Sequence, residues 1–72
     1  MTERDDAEIS AAKFWRRLNV LSKNQEATSD DFEELCYDFE DVRWMIQEQI
    51  EGEPELATFY ASVMRACKER DA

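Results

Sequence analysis

From Phe32 to Ile50 the apolar residues return in steps of three and four: Phe32, Leu35, Phe39, Val42, Ile46 and then Gln49 or Ile50. At about 100° per residue that spacing lays one stripe along a helix, and its heptad rhythm holds for about three repeats. A half-buried strand would alternate in twos instead. The only Gly and the only Pro sit together in "EGEPE". So little turn-making material argues against many short strands and leaves a few long helices.

Three helices account for the pattern, over residues 6–22, 29–51 and 54–70. In the first, Ala7, Ala11, Phe14, Trp15, Leu18 and Leu21 share a face, while Lys13, Arg16, Arg17, Ile9 and Val20 fall mostly off it. Asp5 and Glu8 have capping-box spacing, with Asp in place of Ser or Thr. "SKNQEATS" breaks the period and predicts a loop. Thr28 or Ser29 can cap the second helix, whose start is favoured by Asp30, Asp31 and Glu33. Gly52 is expected to end it in a left-handed conformation, and Pro54 suits the first turn of the third. There Leu56, Tyr60, Val63, Met64 and Cys67 form the stripe, and Arg65, Lys68 and Arg70 complement the carboxyl end of the helix dipole.

The fold class that follows is all-α, a small antiparallel three-helix bundle forming one domain over residues 1–72. A chain of 72 residues buries only about 60% of its unfolded surface. A second subunit is one remedy for so small a core, so a helical homodimer is the competing arrangement. No apolar run approaches the roughly 20 residues needed to span a bilayer. "MTERDDAEIS" lacks the basic and apolar regions of a signal peptide. A cytoplasmic protein is expected, with Cys36 and Cys67 as buried reduced thiols; a single bridge between the second and third helices is the alternative.

The residues also exclude chemistry. There is no His, which removes the commonest general base and metal ligand and every Ser-His or Cys-His pair. No CxxC occurs, and "SDDFEELCYDFED" lacks the spacing and the glycine of a calcium loop. One glycine cannot build a phosphate cradle. The expectation is no enzyme, no catalytic residue, no cofactor and no metal.

Charge is where the sequence points to a role. Between Asn24 and Glu55 twelve acids face one base, Arg43, a balance of −11; elsewhere six acids and eight bases give +2, restoring the net −9. Such a chain repels nucleic acid and anionic membranes and favours a basic protein partner. On a continuous second helix, Asp30, Glu33, Glu40, Asp41, Glu48 and Glu51 lie opposite the buried stripe, with Glu34 beside them. Tyr37 and Trp44, seven residues apart, share that face. These nine residues are the candidate partner-binding set, since Trp and Tyr are over-represented among binding hot spots. An intramolecular reading stands beside it. Trp44 folds over the bundle edge onto Arg43, Arg16 or the amino-terminal arm, and Lys13, Arg16 and Arg17 relieve the crowded acids.

Two functions from different classes follow. One is an inhibitor or decoy whose carboxylates imitate a nucleic-acid backbone on a basic target. In class, size and charge the chain is similar to phage-encoded inhibitors of host defence, anti-CRISPR proteins among them. The other is a homo-oligomeric adaptor or assembly module, packed through the heptad stripe or through Ile9 and Val20.

Overall fold

The computed structural model describes residues 3–70, which are all-α: helices α1 (Glu3–Lys23), α2 (Ser29–Asp38), α3 (Arg43–Gly52) and α4 (Pro54–Arg70), with a 3-10 turn, Glu40–Val42, between α2 and α3. No helix among these residues is long and apolar enough to cross a membrane.

The α1 stripe is as expected, with Ala7, Ala11, Phe14 and Leu18 buried and Trp15 and Leu21 packed half-buried against them. The helix begins earlier than its capping-box spacing implied, so Asp5 lies inside its first turn rather than at a cap. The bend after α1 holds itself together. The Glu26 N–H donates to Asn24 Oδ1 at 3.0 Å, the short side chain closing a turn on the backbone two residues on. Ala27 is buried within the bend. Thr28 precedes α2 in extended conformation, and its N–H donates to Asp31 Oδ2 at 2.9 Å, half of a capping box with Asp in the usual Glu place.

The expected single helix over 29–51 is two helices. Phe39 and Val42 leave helical geometry at φ −114° and −113°. The Phe39 N–H bonds Cys36 O and the Val42 N–H bonds Phe39 O, so the chain tightens to three residues per turn across the break. The gain is in packing. A straight helix of that length would run about 34 Å along one line. Broken, α2 lies against the carboxyl half of α1, where Arg17 meets Asp38 at 3.7 Å. The second piece, α3, reaches toward the amino end, where Arg4 meets Glu48 at 2.9 Å, and near the middle of α1 Trp15 Nε1 donates to Gln49 Oε1 at 2.7 Å. The rotation carries Met45, outside the heptad stripe, into the core beside Ile46.

The turn from α3 to α4 needs one residue. Gly52 is not in the left-handed region expected of it, and α3 runs through it. Glu53 stops the helix by going extended, at φ −131° and ψ 103°, because the ring of Pro54 disfavours helical geometry in the residue before it. Glu53 O then accepts from the N–H groups of Leu56 and Ala57, opening α4. That helix closes the core with Val63 and Cys67. Its Tyr60 ring meets Phe32 at 5.3 Å and Phe14 at 6.4 Å, while Phe14 is edge-on to Trp15 and Phe39 at 5.2 and 5.7 Å. Edge-to-face contacts of this kind add about 0.5–1.5 kcal/mol per pair beyond burial. Arg70 Nη1 donates to the carbonyls of Asn24 and Ala27, at 2.8 and 3.0 Å, and ties the end of α4 to the first bend.

Candidate functional site

All nine candidate residues, Asp30, Glu33, Glu34, Tyr37, Glu40, Asp41, Trp44, Glu48 and Glu51, are exposed. The break between α2 and α3 redistributes them. Tyr37 and Trp44 line separate hollows with no residue in common, so the shared two-turn face of a continuous helix does not form. The cause is local: the 3-10 turn changes the rotation per residue between them, and a seven-residue spacing no longer returns to the same side.

Around Tyr37 the outer face of α2 is the more acidic patch. Tyr37 is 76% exposed and lines a groove of about 310 Å³ with Phe32, Glu33, Cys36, Glu40 and Arg43. Asp30, Glu33 and Glu34 are its neighbours at helical spacing, seven, four and three residues before it. None of these acids, nor Glu40, is in an ion pair among the described residues. Arg43, the one base of this segment, also rims a crevice of about 120 Å³ that runs into the core between Phe14, Phe39, Ile46, Ile50 and Tyr60. Cys36 lines both spaces. Its Sγ lies 3.8 Å from Tyr60 Oη. Burial pushes the Tyr60 hydroxyl up to about 12, the Cys36 contact adds to the rise and Arg43 opposes it. A neutral phenol in partly apolar surroundings is harder to ionise, which is the sign expected of desolvation.

Trp44 sits differently. It is 51% exposed and leans into a hollow shared with Asp6, Ala7, Ser10, Asp41 and Val42. Residues of α1 thus border the same hollow as the ring, and among the described residues no cation from Arg16 or Arg43 stacks on it. The cation over a ring is Arg17, 5.7 Å from the centroid of Phe39. Glu48 is partly neutralised by Arg4, and Glu51 accepts from Gln47 Nε2 at 3.3 Å. Among the described residues, cation relief for the acidic stretch thus comes from Arg4 and Arg17, with no ion pair from Lys13 or Arg16.

No disulfide joins Cys36 to Cys67; the first is half-buried and the second buried. Among the described residues no three Cys, Asp or Glu side chains converge to hold a metal ion. The groove, the crevice and the roles of Cys36 and Arg43 escaped sequence reasoning. Cys36, expected to be buried, is half-buried, and nothing in the periodicity locates the break that opens a crevice beside it. No family model, no characterised protein and no solved structure matches the chain, so its surface chemistry alone carries the functional reading.

Proposed function

We propose that the protein is a non-enzymatic binding module of the cytoplasm that docks on a basic protein surface through the outer face of α2. Tyr37 is the anchor; Asp30, Glu33, Glu34 and Glu40 supply the surrounding charge. One observation carries this reading: the most exposed large aromatic stands among carboxylates that form no ion pair among the described residues. A face that only solvates a helix has no use for a ring there. An interface gains area from Tyr at low entropic cost and gains encounter rate from the charge around it. The adjoining crevice gives the partner a place for one aliphatic side chain, being a little smaller than the roughly 150 Å³ that accommodates benzene in an apolar cavity.

The basic surface best matched by closely spaced carboxylates is one that binds nucleic acid, where charge follows charge at about 1.7 Å of duplex axis. The module then acts as a decoy or inhibitor of such a protein. The test is capture of a partner from the cells that make the protein, followed by anisotropy competition against labelled duplex DNA. Displacement of the DNA is expected, weakening steeply with salt. Tyr37→Ala should weaken binding by about 2 kcal/mol, roughly 30-fold, as hot-spot truncations do. Affinity indifferent to salt and to Tyr37→Ala would defeat the proposal.

A further inference from the structure

The crevice beside Tyr60 differs in charge from the hollows around it. The Tyr37 groove is walled by Glu33 and Glu40, and the Trp44 hollow by Asp6 and Asp41. No carboxylate lines the crevice, although the chain holds twice as many acids as bases. Its apolar side is made by Phe14 and Ile46, both buried, with Phe39 and Ile50 half-buried beside them. Three polar groups along it can donate hydrogen bonds: the Arg43 guanidinium, the Gln47 amide and the Tyr60 hydroxyl. On α3, Arg43 and Gln47 stand four residues apart and exposed, while Ile46 and Ile50, also four apart, are turned inward. The helix thus lays a donor row beside an apolar row at the opening. Arg43 is in no ion pair among the described residues.

We propose that this crevice is a binding site for a short, branched aliphatic carboxylate. The hydrocarbon body fills the space between the rings and the isoleucines, and the carboxylate accepts hydrogen bonds from Arg43 at the mouth. Size selects the body. At about 120 Å³ the crevice is a little below the roughly 150 Å³ that holds benzene in an apolar cavity, so an isobutyl group fits and a long acyl chain does not. Charge selects the head. A planar guanidinium meets a carboxylate with two parallel bonds, whereas an ammonium would face Arg43 with no acid in the lining to receive it. The net charge of −9 repels anions at a distance, but at about 0.15 M salt such fields fade within about 8 Å and the nearest group decides. Cys36 and Arg43 also line the Tyr37 groove, so an acid seated here and a docked partner's side chain in the same crevice exclude each other. The site does not rest on that docking role, because it is tested on the chain without a partner.

NMR titrations of the isotope-labelled chain with isovalerate, isovaleramide and isopentylamine, at neutral pH and constant salt, decide it. Isovalerate should give saturable shifts centred on Cys36, Arg43, Ile46 and Tyr60. It should bind about 10-fold or more tightly than the amide or the amine of the same shape, the worth of one charge-assisted hydrogen bond. Arg43→Gln should bring the acid down to the level of the amide, and Arg43→Lys should keep part of the preference. Arg43 is exposed, and circular dichroism verifies the fold of each variant. If Arg43→Gln fails to fold, the ratio of acid to amide on the wild type still decides. N-acetylvaline, standing for the last residue of a polypeptide, should bind more weakly than isovalerate, its acetamide being too large for the space. No saturable shifts, shifts centred elsewhere, equal binding of acid and amide, a preference that survives Arg43→Gln, or tighter binding of N-acetylvaline would each overturn the proposal.

Discussion

Tyr60 packs against three other rings, Phe14, Trp15 and Phe32, and its hydroxyl has a displaced proton equilibrium. Its pKa is raised from 10.0 to about 12, chiefly by burial. The folded chain therefore holds this proton more tightly than the unfolded chain does. Between those two values the unfolded form has lost it and the folded form has not, so unfolding is favoured increasingly as pH rises through that window. Below pH 10 the contribution to stability is complete. We expect Tyr60→Phe to flatten the alkaline fall in stability relative to the wild type in urea titrations from about pH 9 to about pH 12, an interval that brackets the two pKa values. Tyrosinate absorbance in a Tyr37→Phe background follows the same proton directly. A titration of Tyr60 at its ordinary value would show that the ring is solvated in the folded state. Ala27 illustrates the opposite limit: a small residue in a polar bend, fully buried, because Arg70 reaches over to its carbonyl.

Among the elements, α3 and α4 are separated by a single extended residue, and Gly52 is left inside a helix where nothing approaches the position of an added Cβ within 4 Å. With no positive φ to support, glycine there only adds freedom to the unfolded chain. Gly52→Ala should stabilise by about 0.5–1 kcal/mol, read as a higher urea midpoint at unchanged slope. A loss instead would mean that the end of α3 needs glycine. The same junction shows what periodicity conveys and what it omits. The stripes of α1 and α4 and the role of Pro54 follow from spacing of side chains and from the missing amide, both local properties. Composition points to Gly52 as the stop, whereas the proline two residues later supplies it through Glu53. The break at Phe39 has no Gly or Pro to announce it. It arises because α2 and α3 must each find a different stretch of α1, and tertiary packing overrides a sequence able to continue as one helix. For the candidate surface, exposure of all nine residues was legible from the helical phase. Their division between a Tyr37 groove and a Trp44 hollow was not, because it depends on that break.

For the molecule as a whole the dominant force left unbalanced is self-repulsion. The ion pairs among the described residues, Arg4–Glu8, Arg4–Glu48 and Arg17–Asp38, are exposed and contribute little, against a net charge of −9 concentrated between residues 24 and 55. Raising salt from about 0.01 M to about 0.1 M shortens the screening length from about 30 Å to about 10 Å. At protein concentrations that keep the chain monomeric, the melting midpoint should therefore rise with salt. About 1 kcal/mol of relief corresponds to roughly 4–8 °C for a domain this size. A midpoint that falls would mean that the attractive pairs outweigh the crowded acids.

The clasp that Arg70 makes on Asn24 and Ala27 gives the fold an order of completion. Those two carbonyls receive their charged donor only after the last turn of α4 has wound, 46 positions away from Asn24. During synthesis this clasp can form only once the chain has emerged as far as Arg70, so a nascent chain halted inside α4 would hold the first bend by its own local hydrogen bonds alone.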